Sequence, residues 1–370
     1  MKRFAIAVIP VLFFFFHCSG EHTDDRPGST RQVSDSLHRT VLVPDDVSRI
    51  ICSGPGCLRY ITYLQAQDRV VAVDSIETET TIFDARPYAL ANPAFKNMPV
   101  FGDFRGQDNP ELILSLDPQP RLIFKTYPES GFNPVELQQK TQIPVVVIEY
   151  GDLGKNRQSF YDSLLLSGII LGKEQRAKEI VDYIEKLITD LDQRTRNITD
   201  KKTCFLGGVA FKGAHGFQST EPGYPPFVFL NTPNAAIADS QKDLSHMDIS
   251  KEKIIEWDPQ VIFLDLATLQ LEKKANAIQE LKSDPSYRML QAVKNETVYG
   301  VLPYNWYTQN HGSTLANAYF IGKILYPEQF KDIDPVKKAD EIFTFLVGKP
   351  VFKDINTSFS NLAFTRLELK

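Results

Sequence analysis

One amphipathic run constrains this chain more than anything else in it. From about Asn156 to Asn197 the sequence predicts a single long helix. Ala177, Ile180, Val181, Ile184, Leu187, Ile188 and Leu191 step by three and four and so form one apolar stripe. At about 1.5 Å per residue, about forty residues of helix span roughly 60 Å, longer than a small domain. Such a helix is a strut. The segments on either side of it read as strands alternating with helices, which predicts parallel pairing with right-handed crossovers. The expected fold class is α/β, with two Rossmann-like lobes joined by one long backbone helix and a cleft between the lobes.

The apolar runs set the expected boundaries. An N-terminal α/β lobe covers 41–155, with buried strands at Ile50-Ile51-Cys52, Val70 to Val73, Leu122 to Phe124 and Pro144 to Ile148. The linking helix covers 156–198. A C-terminal α/β lobe covers 199–370, with strands at Thr203 to Val209, Val261 to Leu264 and Thr297 to Val301. The lobes share a phrase. Leu116-Asp117-Pro118-Gln119 leads into Leu122-Ile123-Phe124, and Trp257-Asp258-Pro259-Gln260 leads into Val261-Ile262-Phe263. Helix, turn and buried strand follow in the same order in each.

The start of the chain reads as an export signal, 1–17. Met1-Lys2-Arg3 is followed by a run from Phe4 to Phe16 that is too short to cross a bilayer. Cys18-Ser19-Gly20 then reads as a lipid-acceptor site, with 18–40 a polar, flexible tether between membrane and domain. A net charge of -5 speaks against nucleic acid as a partner. Cys52 and Cys57 are close enough in sequence to pair in an oxidising compartment, or to stay as small buried thiols. The chain has no C-x2-C pair, no H-E-x-x-H, no P-loop and no G-x-S-x-G. No metal site, cofactor or catalytic residue is expected, and the chain is not read as an enzyme.

Several of these phrases resemble one family. Ile50-Ile51-Cys52-Ser53-Gly54-Pro55, Asp68 to Val73, Pro144 to Ile148 and Trp257 to Phe263 resemble the strands and loops of substrate-binding proteins of ABC importers, in the helical-backbone class that carries siderophore, haem and cobalamin cargo. Gly54-Pro55-Gly56-Cys57-Leu58-Arg59 with Tyr63-Leu64, and Leu302 to Asn310, resemble its iron-complex branch. The resemblance covers about Val41 to Val347. It implies a lipid-anchored, extracytoplasmic protein that hands an iron complex to an ABC permease and its ATPase. A cobalamin- or haem-binding component is the alternative, and an exported enzyme on the related metallocluster scaffold a more distant one. A monomer is expected. One position departs from the family: Arg59 stands where many members carry a glutamate that docks on the permease.

Ligands of open α/β sheets collect beyond the carboxyl ends of the strands. The loops there bring forward Arg59, Arg105, Tyr127, Phe217, Tyr224, Trp306 and Tyr307 as ligand-binding candidates. Guanidinium groups pair with carboxylates, and rings cover the apolar faces of a chelate. Glu77, Glu79 and Glu221 are candidate acids for docking on the permease. His215 and His311 are read as hydrogen-bonding residues rather than metal ligands, and a phenolate of Tyr127 or Tyr307 would serve only for bare ferric ion.

Overall fold

Alternating valines start the fold earlier than composition alone implies. The computed structural model describes residues 29–237, 244–271 and 276–369. The expected signal, Cys18 and the first part of the tether lie outside them. Residues 30–44 form an antiparallel hairpin, β1 (Thr30–Ser34) and β2 (Thr40–Pro44), where a flexible tether through residue 40 is expected. Val33, Val41 and Val43 are buried. The Asp35 carboxylate accepts hydrogen bonds from the backbone N–H groups of Leu37 and Arg39, each at 3.0 Å, and from that of Val147 at 3.2 Å. Arg39 donates to the Val145 carbonyl at 2.9 Å. The hairpin is thus pinned to the edge of the first lobe. A single apolar residue in β1 hides this arrangement in a polar segment.

The first lobe is built on β3 (Ile50–Ser53), β4 (Val70–Asp74), β5 (Val100–Asp103), β6 (Gln107–Asp108), β7 (Leu122–Lys125) and β8 (Val145–Val147). Their order across the sheet is β6-β5-β4-β3-β7-β8, with every neighbouring pair parallel except β5 and β6. The central strands β3 and β7 are buried at every position, as uninterrupted apolar runs require when helices cover both faces. Register places Ser53 beside Lys125 at the carboxyl ends of β3 and β7. The helix α1 (Cys57–Tyr63) leaves β3 through Ser53-Gly54-Pro55-Gly56 and is buried along its whole length. Cys52 and Cys57, at the strand end and the helix start, are buried free thiols.

The expected single strut is two helices. α2 (Arg157–Leu171) ends at Gly172, which is left-handed at φ 62°, and α3 (Glu174–Thr195) begins two residues later. The amide of Lys173 bonds to the Gly168 carbonyl at 2.7 Å and that of Gly172 to Ile169 at 3.4 Å, a Schellman stop. The chain then turns, because Gly168 lets Ala177 approach so closely that a Cβ at Gly168 would lie 2.7 Å from the alanine methyl. The apolar stripe belongs to α3, where Ala177, Ile180, Ile184, Leu187 and Leu191 are buried. The strut therefore reads correctly as a connector and wrongly as one rod; Gly172 was the stop signal inside the run.

The second lobe carries the parallel sheet β13-β12-β9, from β9 (Cys204–Gly207), β12 (Val261–Asp265) and β13 (Val298–Val301). Two small antiparallel pairs accompany it: β10 (Ser219–Thr220) with β11 (Met247–Asp248), joined by a long connection, and the hairpin β14 (Asn305–Trp306) with β15 (Thr308–Gln309). The shared Asp-Pro-Gln phrases lead into β7 and β12. Helix α4 (His311–Leu325) runs through the lobe almost wholly buried. Helix α5 (Pro335–Val347) packs on α4 and also touches α1, so it fastens the two lobes behind the site.

Candidate functional site

The carboxyl ends of the first-lobe strands meet the β14–β15 hairpin of the second lobe, and Arg59 lies at that meeting. It sits on α1, directly after the glycine turn, and is fully buried. One terminal nitrogen donates to Thr308 Oγ1 at 3.0 Å and to the Gln309 carbonyl. The other reaches the Tyr150 carbonyl at 3.4 Å. The guanidinium lies 5.4 Å from the ring centroids of both Tyr60 and Tyr150. Its Nε has no hydrogen-bond partner, and among the described residues no carboxylate pairs with it. Gly56, at φ 78°, makes this approach fit. A Cβ there would come within 2.8 Å of Thr308 Oγ1 and 3.3 Å of the Arg59 guanidinium.

Tyr307 makes a second cross-lobe contact. Its hydroxyl donates to Asp74 Oδ2 at 2.5 Å and accepts from the Arg105 amide at 3.2 Å. The backbone of Tyr307 is left-handed, as are those of Arg105 and Tyr127. A third contact runs from the Gln309 amide to the Tyr150 hydroxyl. Beneath them, Lys125 and Asp108 form a buried ion pair at 2.6 Å, with Lys125 also within 3.3 Å of Ser53 Oγ. That cation is already neutralised. Arg59 is not.

Other candidates fall into different places. The Arg105 side chain is exposed and lies 5.1 Å from the Phe104 ring, while its backbone serves Tyr307. Tyr127 is partly exposed, with its ring 5.3 Å from that of Tyr150. Trp306 is half-buried and packs edge-on against Phe359. Phe217 and Tyr224 are corrections: both are core residues. Phe217 lies between Phe205 and Tyr287 and presses on Gly207. Tyr224 accepts from Asn317 at 3.1 Å beside Tyr304. Two of the docking acids are corrections as well. Glu77 is buried, 3.0 Å from Arg86 and 2.7 Å from the Tyr88 hydroxyl. Glu221 is buried and accepts from the Tyr304 hydroxyl. Each is a long side chain after a strand, but hydrogen-bonded inward; only Glu79 is exposed. His311 is buried against Phe160, ring centroids 4.0 Å apart.

Sequence reasoning passed over Asp74, Tyr150 and Thr308. Asp74 ends β4, so strand-end position was the available signal. A hollow of about 690 Å³ lies elsewhere, lined by Val100, Asp103, Leu112, Phe132 and Lys140 among others. It includes none of the cross-lobe bonds, but Asp108, the partner of Lys125 beneath them, lines it, and its rim is the outer edge of the first sheet.

The interior holds several buried acids. Burial pushes Glu221 and Asp265 up to about 8, and burial together with Glu77 raises Asp74. The folded chain therefore keeps protons that an unfolded chain releases in the ordinary carboxylate range. Stability from these groups is lost as pH rises toward about 8. His311 acts oppositely. Burial holds it well below its usual 6.5, so acidification past that value favours the unfolded chain. Three groups against one give a net gain on going from pH 8 to pH 5. Urea unfolding across that range should show a rising midpoint; a flat or falling midpoint would mean that the carboxyls ionise inside the fold.

Two α/β lobes closing over a buried, unneutralised cation, with a connector behind them, define a two-lobed solute-binding protein. The chain belongs to the periplasmic binding protein family, whose model matches residues 50–303. It is 24% identical over 346 residues to the molybdate-binding protein MolA of Haemophilus influenzae, covering 85% of this chain and 90% of that one. The structure of MolA bound to molybdate superposes with a TM-score of 0.64 at 19% identity, over 86% of this chain and 98% of MolA. The iron-uptake system-binding protein of Bacillus subtilis is 24% identical over 254 residues, 63% of this chain and 74% of that protein. A periplasmic solute-binding protein from Veillonella parvula gives a TM-score of 0.66 at 19% identity, over 89% of this chain and 96% of that one. The family consists of extracytoplasmic solute-binding proteins, not enzymes, and they deliver ligand to an ABC permease.

Proposed function

We propose that this chain captures an anionic iron chelate of the siderophore type between its lobes and passes it to an ABC permease and its ATPase. One observation carries the reading: Arg59 is a buried guanidinium, ringed by Tyr60 and Tyr150, with a free Nε and no acid to neutralise it. An uncompensated charge in a low-dielectric site is costly, and an anionic cargo removes that cost. The cross-lobe bonds of Tyr307 and Thr308 part to admit cargo, and cargo replaces them. Tyr127, Trp306 and the exposed side chain of Arg105 stand as candidates for the wider chelate face.

A second reading, a compact oxyanion such as molybdate, is favoured by the direct contact of Thr308 and Gln309 with Arg59, which leaves the guanidinium fully covered. Cobalamin and haem are larger alternatives that the same fold class accommodates. Titration of the purified domain with ferric citrate, a ferric catecholate, molybdate, haem and cobalamin, followed by tyrosine and tryptophan fluorescence and calorimetry, separates them. A ferric chelate should saturate one site per chain. Saturation by molybdate alone moves the assignment to the oxyanion, and silence toward all five overturns it. The chain is proposed to act as a monomer, tethered through lipid on Cys18, with Glu79 among the acids that meet the permease. Loss of membrane association in Cys18→Ser checks the tether.

A further inference from the structure

The loop after β9 and the β10–β11 pairing bring three metal-binding side chains together in the second lobe. They are His215, His246 and Asp248, and one ligand atom from each lies within 4.8 Å of the other two. They come from two separate segments, so the meeting is made by the fold and not by chain adjacency. Asp248 is fixed by the β10–β11 pairing, in register with Ser219.

Both rings are already oriented. His215 Nε2 lies 2.8 Å from the Phe211 carbonyl, which can only accept, so that nitrogen carries the proton. His246 Nε2 lies 3.0 Å from Ser219 Oγ. The Ser219 hydroxyl already donates to the Val209 carbonyl at 2.6 Å, so His246 Nε2 is the donor there. In each ring Nδ1 keeps its lone pair, while the protonated His246 Nε2 lies 3.8 Å from Asp248 Oδ1. An imidazole whose N–H is held by a protein oxygen is the usual arrangement behind a metal-binding histidine. His246 is further held flat on the Phe211 ring, centroids 4.4 Å apart and planes at 7°. The two imidazole centroids are 5.2 Å apart.

We propose that His215, His246 and Asp248 form a binding site for a divalent first-row transition cation, of the zinc or nickel type. Two imidazoles and one carboxylate make a borderline donor set that suits such ions and not calcium or magnesium. Metal–ligand bonds of about 2.0–2.2 Å bring ligand atoms to roughly 3–3.5 Å from one another, so binding draws the three side chains slightly together. A hollow of about 290 Å³, lined by Gly216, Gln218, Ser219, Asp248 and Glu280, adjoins Asp248 and leaves room for water or an outside ligand on the ion. The site belongs to one lobe and does not depend on the cargo assigned to the cleft. Its ion fastens the loop after β9 to the paired strand β11.

The test uses the full mature chain without a histidine tag, dialysed against zinc or nickel chloride and examined with cobalt as a coloured probe. One ion per chain is expected, with a cobalt d–d absorption band. His246→Ala and Asp248→Asn should each weaken binding by at least about tenfold, and His215→Ala/His246→Ala should abolish the band. Arg59→Met should leave it intact, which separates this site from the cleft. Circular dichroism of the metal-free variants checks that they fold. Absence of stoichiometric zinc or nickel binding, or an unchanged band in the folded double variant, overturns the proposal.

Discussion

Arg59→Met is expected to lose cargo binding while leaving the fold standing. Truncating one partner of a buried, hydrogen-bonded charge pair costs about 2–5 kcal/mol. At about 1.4 kcal/mol per tenfold, that is a loss of roughly 30-fold to several thousand-fold in affinity. The stability of the empty chain should move far less, and its sign is informative. The substitution removes hydrogen bonds to Thr308, Gln309 and Tyr150, each worth about 1 kcal/mol net. It also removes a desolvated cation that no acid compensates, a penalty of several kcal/mol. The two effects oppose, so the urea midpoint should stay near that of the parent or rise. Arg59→Lys keeps the charge and loses the planar fork, and should bind with intermediate affinity. Unchanged cargo affinity in Arg59→Met, coupled to a lower midpoint, would make Arg59 a brace between lobes and remove it from the binding site.

The same residue shows how far the sequence could be read. Arg59 was visible as a basic residue just past a glycine turn that ends a buried strand. Parallel strands were legible because apolar runs bounded by turns have few other uses. What periodicity could not show was termination and partnership. Gly172 stops a helix whose apolar pattern continues on both sides, because a left-handed residue costs glycine little and leaves no mark on the stripe. Glu77 and Glu221 look like surface acids in one dimension. Their burial depends on Arg86 and Tyr88 in one case and Tyr304 in the other, which only the fold brings to them. Phe217 and Tyr224 fail for the opposite reason. An aromatic ring in a loop after a strand satisfies either a cleft or a core, and Gly207 and Asn317 draw these two inward. The His215–His246–Asp248 cluster is hard to read from spacing, since His215 precedes β10 while His246 and Asp248 lie together at β11, far along the chain, and only the short β10–β11 pairing joins them.

Arg86→Met is expected to be the most destabilising of the substitutions considered. Arg86 is the one cation of a buried group, 3.0 Å from Glu77 and 3.0 Å from Asp84, with all three side chains almost free of solvent. Its second terminal nitrogen holds the other Asp84 oxygen at 3.0 Å, so the guanidinium is clamped by two acids at once. Removing it strands two carboxyls in the interior, and breaking such a group costs about 3–5 kcal/mol. The penalty should depend on pH in a defined direction. Without Arg86 the favourable guanidinium charge beside Glu77 is gone, burial raises that carboxyl further, and the fold holds it protonated. Protons bound by the folded chain and not by the unfolded chain make the loss larger at pH 8 than at pH 5. Glu77→Gln in the Arg86→Met background should recover part of it, because the amide oxygen still accepts from the Tyr88 hydroxyl while one of the two charges disappears. Equilibrium unfolding of the single and double variants at both pH values decides this. The outcome also reaches the cleft, since Glu77 lies on the helix Ser75–Thr78 that begins where Asp74 receives Tyr307. If the buried group sets the position of that helix, Arg86→Met should weaken cargo binding even under conditions where the variant is fully folded. If cargo affinity holds while stability falls, the group is scaffold alone, and the Asp74–Tyr307 contact is positioned by β4.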